Sequence, residues 1–331
     1  MIWRMKQISL AEAHSSYSIK PQRTRKQVFL EEMNRVVPWQ AIEALIEVHY
    51  PKAQPHGGRR ATPLAVMLRI FFLQQWFGLS DPAMEEALHD VPIYRSFAGL
   101  DAGQDAMPDE STILRFRHLL EAHGLQSQIF DLVSTLLQGK GLMLKQGTTV
   151  DATLIAAPSS TKNQKGQRDP HMHSSKKGNQ WYFGMKAHIG TDTQSGLVHT
   201  VEGTAGNVHD VTMTGQLLHG QEEAILGDAG YTGADKREDV QTKANWFIAM
   251  KAGKRKALDK QSPIGAAQEQ HEKSKASLRA KVEHAFGVLK CQFGYRKVRY
   301  KGLAKNTAQL QTLFALVNLY RARKQLQAMM G

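Results

Sequence analysis

A single cysteine, Cys291, stands among 331 residues. One thiol excludes an internal disulfide framework and a zinc–cysteine cluster. Its place beside a C-terminal helix suits a small packing residue in a reducing compartment. Long apolar runs are missing as well. The most apolar stretch, Pro63 to Leu79, is interrupted by Arg69, Gln74 and Gln75 and is too short to span a bilayer. No secretory segment is recognisable, so the expectation is a cytoplasmic protein, gathered on the nucleoid when bound there. The stretch reads better as a buried helix with Thr62 as N-cap and Pro63 at its first position. Acid is in short supply: 30 Asp+Glu against 43 Lys+Arg leave a formal net charge of +13 and a pI near 9.7. Such an excess favours polyanionic partners through steering and counterion release. No internal repeat is present.

What is there divides near residue 140. Before it the periodicity is helical: 28–50, interrupted by Pro38, then 63–77, 82–88, 111–122 and 125–137, with Gly124 separating the last two. The segment Gln54 to Ala61, with Gly57, Gly58, Arg59 and Arg60, has the composition of a basic linker. After residue 140 strand-like runs dominate, at 147–156, 181–191, 196–204, 222–228 and 245–250. Helical patterns follow or alternate at 211–219, 234–242, 278–292 and 305–328. Strands first, then strand and helix in alternation, predict an α/β mixed sheet flanked by helices. The expected parts are an N-terminal helical segment and basic linker (1–60), a helical domain (61–140) and the sheet domain (141–331).

Three carboxylates sit on mostly apolar elements. Asp151 lies inside the β-branched run Thr148-Thr-Val-Asp-Ala-Thr-Leu-Ile, where a charge is costly unless something pairs with it. Asp228 ends the short run Ala-Ile-Leu-Gly, and glycines after it permit a sharp turn; the carboxyl ends of strands are common ligand sites. Glu283 belongs to an amphipathic helix whose apolar stripe is Leu278, Val282, Phe286, Leu289 and Phe293. At roughly 100° per residue, Arg279, Glu283 and Lys290 fall within about 40° of one another on its flank. Taken alone, Arg279 and Glu283 could be an ordinary solvated pair. Taken with two strand-borne aspartates, they form a set that can hold hard divalent cations and grip phosphates.

The arrangement resembles the DDE transposases of bacterial insertion sequences, most of all the insertion-sequence-five family. The matching motifs are Asp151-Ala-Thr, Gly206-Asn-Val-His-Asp210, Gly227-Asp-Ala-Gly-Tyr231 and Arg279-x₃-Glu283-x₆-Lys290, in the family's order over roughly residues 60 to 320. Ala276 stands where the fuller signature has a tyrosine, so no role borrowed from that tyrosine carries over. The resemblance implies an RNase H-like catalytic core with an all-α N-terminal domain. It implies Asp151, Asp228 and Glu283 as catalytic metal ligands for two Mg²⁺ ions, with Mn²⁺ able to substitute. It also implies binding of double-stranded DNA at an element's terminal inverted repeats, cleavage at its ends, and joining of the 3′-hydroxyls to target DNA. At least a dimer would act on the two ends. The alternatives are an RNase H-like nuclease that cuts without joining, an inactive transposase-derived DNA-binding protein, and a structural basic protein.

Two basic, weakly hydrophobic segments flank the carboxylates, at 159–180 and 251–281, and read as loops. Lys254, Arg255 and Lys256 in the second are candidates for DNA contact, as are Arg279 and Lys290; solvated loops are the bland reading. Pro108 to Arg117 opens a well-capped helix expected to expose Arg115 and Arg117. It is either a recognition helix or a capped helix with a basic face. His171 and His173 have no third metal ligand in view. Lys186 and His188 share a strand face and either approach the site or face solvent. Asp210 is as easily an N-cap as a functional group.

Overall fold

The computed structural model describes residues 23–52 and 61–330, so the glycine–arginine linker lies outside the described residues. Two compact units are present: one runs to Leu125 and takes in Arg323–Gly331, the other is Gln126–Ala322.

The first unit is helical. Helix α1 (Arg25–Val36) starts at a capping box between Thr24 and Gln27, and α2 (Trp39–Glu47) restarts directly after Pro38. Helix α3 (Leu64–Phe77) is buried on nearly all sides, as apolar residues around its whole circumference require, with Gln74 and Gln75 buried among them. Its N-cap is Pro63 rather than Thr62: the Pro63 carbonyl accepts the first helical bond, from the Met67 amide at 3.1 Å. Rings from several elements meet edge to face around it, Phe29 with Trp76 at 5.4 Å and Trp76 with Phe97 at 5.7 Å. Helices α4 (Asp81–Asp90), α5 (Pro92–Ala98) and α6 (Glu110–Ala122) complete the unit, and Asp109 caps α6 by accepting from the Thr112 amide at 2.7 Å. Helix α5 is absent from the sequence expectation: at seven residues it is too short to show a period.

Helix α7 (Leu125–Gly139) leads into the sheet. Strand β1 (Gly147–Ala156) is central. Strand β3 (Gln180–Asp192) lies antiparallel on one side of it, and β4 (Val198–Ala205) antiparallel beyond β3. On the other side β5 (Ala224–Gly227) and β6 (Asn245–Ile248) run parallel to β1. This is the mixed sheet flanked by helices expected from the sequence. A short β2 (His173–Lys177) extends the sheet along β3, so the 159–180 segment is not wholly a loop.

Turn α8 (Thr214–Leu217) follows a single 3₁₀ turn at Asp210–Met213, and the helix expected at 234–242 shrinks to a 3₁₀ turn at Ala234–Lys236. Val150, Leu217, Tyr231 and Ala234 form the core against one face of β1. The segment read as a loop at 251–281 is largely helical. Helix α9 (Ala252–Lys256) precedes α10 (Pro263–Gly287), which is capped by Ser262 and has Pro263 in its first turn. Helix α10 packs on β1 and β5. A π turn follows at Val288–Gln292, and α11 (Leu303–Ala328) closes the chain. Within the second unit, α11 approaches β4 so closely that a Cβ on Gly203 would fall 2.1 Å from the Thr307 hydroxyl. Among the described residues no helix is long and apolar enough to cross a membrane.

Candidate active site

Strand register brings the two aspartates together. Thr148 pairs with Ile225 and Thr149 with Leu226 across β1 and β5. Asp151 and Asp228 each follow two residues further along, close enough for the Asp228 charge to act on Asp151. The chain turns immediately after Asp228, whose carboxylate accepts from the Gly230 amide at 2.8 Å. Asp151 accepts from the Ala152 amide at 2.8 Å.

Asp151 is electrostatically strained. Burial pushes its carboxyl up to about 6, and the charges of Asp228 and Asp210 push the same way; the Ala152 amide and the Arg279 guanidinium oppose them. Tyr231 feels the same groups. Burial, then Asp210, Asp151 and Asp228, hold its phenol well above the ordinary range, against Arg279. Its hydroxyl is buried without a hydrogen-bond partner. The donor chemistry fits a hard divalent cation: Asp151 and Asp228 are oxygen ligands close enough for one to raise the other's pKa, and the Tyr231 hydroxyl that feels both has no partner.

Helix α10 places Arg279 within reach of this cluster, while Glu283, one turn on, stands exposed. Among the described residues no three His, Cys, Asp or Glu side chains are assembled as a ready metal cage. Lys290 does not continue the α-helical line predicted for it, because α10 ends at Gly287 and Lys290 lies in the π turn. Such turns insert an extra residue and re-aim side chains. Lys290 Nζ donates to Thr153 Oγ1 at 2.6 Å and to the Leu154 carbonyl at 2.8 Å, two and three residues beyond Asp151. Burial, then the charges of Lys177 and Arg296, lower its pKa.

The other basic candidates separate. Arg115 is exposed, as are Lys254 and Lys256. Arg255 is tied to Glu269 by two hydrogen bonds, at 2.9 and 3.1 Å. Arg117 corrects the expectation of an exposed basic face: it is buried and bonded to Asp81 and Glu121, each at 2.9 Å. The alternation of α6 explains this, since Arg117 shares the inward side with Ile113 and Leu120.

One group was not assigned from the sequence. Lys186 Nζ donates to Asp210 at 2.8 Å and to the Val208 carbonyl at 2.7 Å. His188 is fully buried, bonded through Nε2 to the Thr204 hydroxyl at 2.8 Å, and its unpartnered Nδ1 lies 3.9 Å from Asp210. Burial brings its pKa down to about 4, with Asp210 opposing and Lys186 adding to the fall. The signals were the Gly206–Asp210 motif and the shared face of Lys186 and His188; neither reveals that the two meet.

Comparison with known proteins identifies the family. Residues 17–119 match the family described as Transposase domain (DUF772). Among solved structures the chain is similar to a piggyBac transposase seen by cryo-EM in a synaptic complex with hairpin DNA. That similarity is 12% in sequence with a TM-score of 0.45, covering 93% of this chain and 78% of the other. A likeness of that size carries no weight for fold or function. Over residues 143–319, more than half its length, the chain matches the family described as Transposase DDE domain, and it belongs to that family.

Proposed function

We propose that the protein binds the terminal inverted repeats of an insertion sequence, cleaves DNA at the element's ends and joins the freed 3′-hydroxyls to target DNA. The observation that carries this reading is the approach of Asp228, just past the end of β5, to Asp151 on the adjoining β1, in a chain of the DDE family. Water attacks the phosphorus at the element end and the 3′-oxygen leaves; that 3′-hydroxyl then attacks a phosphorus of the target, whose own 3′-oxygen is displaced.

Asp151, Asp228 and the exposed Glu283 would hold the metal. Bound there, two Mg²⁺ ions, or Mn²⁺ in their place, supply activation of the attacking oxygen and charge neutralisation at the leaving one. The protein's own part is positioning. Arg279, beside Asp151, orients the scissile phosphate. Lys290, anchored on the strand just beyond Asp151, holds a neighbouring one. Arg115 and the exposed lysines of α9 serve the flanking duplex, and the helical part before residue 140 reads the repeats. At least two copies act on the two ends.

A strand-transfer assay tests this reading. Purified protein, Mg²⁺, DNA carrying the element's ends and a supercoiled target are mixed, with Asp151→Asn as control. Joined products that vanish in the variant support it. Cleavage without joining would make the protein a nuclease, and repeat-specific binding with neither reaction would make it a retired DNA-binding protein.

A further inference from the structure

Trp181 is 65% exposed and is the one aromatic among the exposed large hydrophobics of the described residues. It sits near the end of the β2–β3 hairpin, directly across from Lys176. The strand register puts it on a particular face. Asp151 pairs with Ile189 and Thr153 with Ala187, and along β3 the residues Ile189, Ala187, Met185, Phe183 and Trp181 alternate onto one side. Trp181 therefore shares the sheet face of Asp151 and of Thr153, the residue that Lys290 grips. Cations accompany the aromatics along this face. Arg168 lies over the Phe183 ring at 5.3 Å, and Lys176 pairs across from Trp181. The Phe183 ring is covered by its cation, whereas the indole of Trp181 is left open.

We propose that Trp181 and Lys176 form a stacking platform for an unpaired base of the DNA strand that leaves the active site along this face. A flat π surface beside a lysine is the pairing that binds single strands, with stacking on the base and charge on the backbone. Eight residues of β3 separate Trp181 from Ile189, roughly 26 Å at the rise of a strand. The platform thus acts well beyond the reacting phosphate, on the flanking strand rather than at the scissile bond. It rests on the DNA-processing role proposed above.

The test uses the full chain and two fluorescent probes, oligothymidylate and a blunt duplex of the same length. Wild type, Trp181→Ala, Trp181→Tyr and Lys176→Ala are compared. Trp181→Ala is expected to weaken oligothymidylate binding roughly ten- to a hundred-fold, with a much smaller loss on the blunt duplex and most of the affinity restored by tyrosine. Lys176→Ala should lower the salt dependence of single-strand binding by about one ion. A 2-aminopurine in the strand should be quenched by wild type and not by Trp181→Ala. Equal affinity of wild type and Trp181→Ala for oligothymidylate overturns the platform while leaving the transposase reading intact, provided wild type still binds duplex. Wild type that binds neither probe overturns both. A sedimentation shift from dimer to monomer in Trp181→Ala, with equal losses on both probes, would make the tryptophan a contact between copies and overturns the platform too.

Discussion

Arg117 and Asp151 are both charged side chains drawn inside, one in each unit, and their surroundings treat them in opposite ways. Arg117 receives two carboxylates at hydrogen-bond distance, and its own side chain is 7% exposed. Asp151 receives two more carboxylates among its neighbours, and burial and repulsion push its carboxyl up to about 6. A satisfied buried ion is architecture, whereas a buried ion among like charges is costly unless a cation arrives. The comparison separates a helix-packing arginine from a candidate metal ligand, although the sequence had offered both as functional.

The largest expected effect is on chemistry. Asp151→Asn and Asp228→Asn should each cut DNA cleavage on the order of a thousand-fold or more, while gel-shift affinity for element ends stays within a few-fold. Cleavage surviving in either variant would remove that aspartate from the site. Next comes Arg117→Ala, which leaves Asp81 and Glu121 facing each other without their cation. A loss of about 3–5 kcal/mol is expected, or roughly 10 °C in melting temperature, with DNA affinity per folded molecule unchanged. A stable Arg117→Ala protein with weakened DNA binding would return that residue to the DNA interface.

The third prediction has the opposite sign in stability. With chelator present, Asp151→Asn should be more stable than wild type at pH 8. Because the folded pKa is raised, the native state holds the proton more tightly than the unfolded chain. That advantage is full below the ordinary aspartate value of 3.8 and is lost as pH climbs to about 6. Removing the charge should therefore restore on the order of 3 kcal/mol above pH 6 and nothing near pH 3.5, as read by denaturation across that range. Equal stabilities at pH 8 would show that Asp151 is not strained. The smallest effect on stability is expected of Glu283→Gln. This exposed side chain should change stability by less than about 0.5 kcal/mol while cleavage collapses; full activity would exclude it as third ligand.

Much of the site was legible because it rests on period-two strands. The β1 bounds came out as read, and strand alternation alone gave Asp151, Thr153 and Ile155 a common face. The helix containing Glu283 was harder. Residues 263–277 are polar all round, held by the Ser262 cap and by pairs such as Glu272 with Lys275 rather than by an apolar stripe. Periodicity cannot see such a helix. The π turn at Lys290 broke the assumption of a constant angle per residue. Lys186 and Asp210 lie far apart in sequence, and only the fold of β3 beside the 3₁₀ turn brings them into contact. Arg117 failed for the reverse reason: composition marks a basic helix, but burial depends on where Asp81 ends up.

The measurement that tests the central claim most directly is thermal unfolding of wild type and Asp151→Asn with increasing Mg²⁺ or Mn²⁺ at pH 8. Wild type should rise steadily in melting temperature as the cation relieves the crowded carboxylates. The variant, already relieved, should start higher and respond far less. Parallel curves for the two proteins would contradict the assignment of Asp151 as a metal ligand.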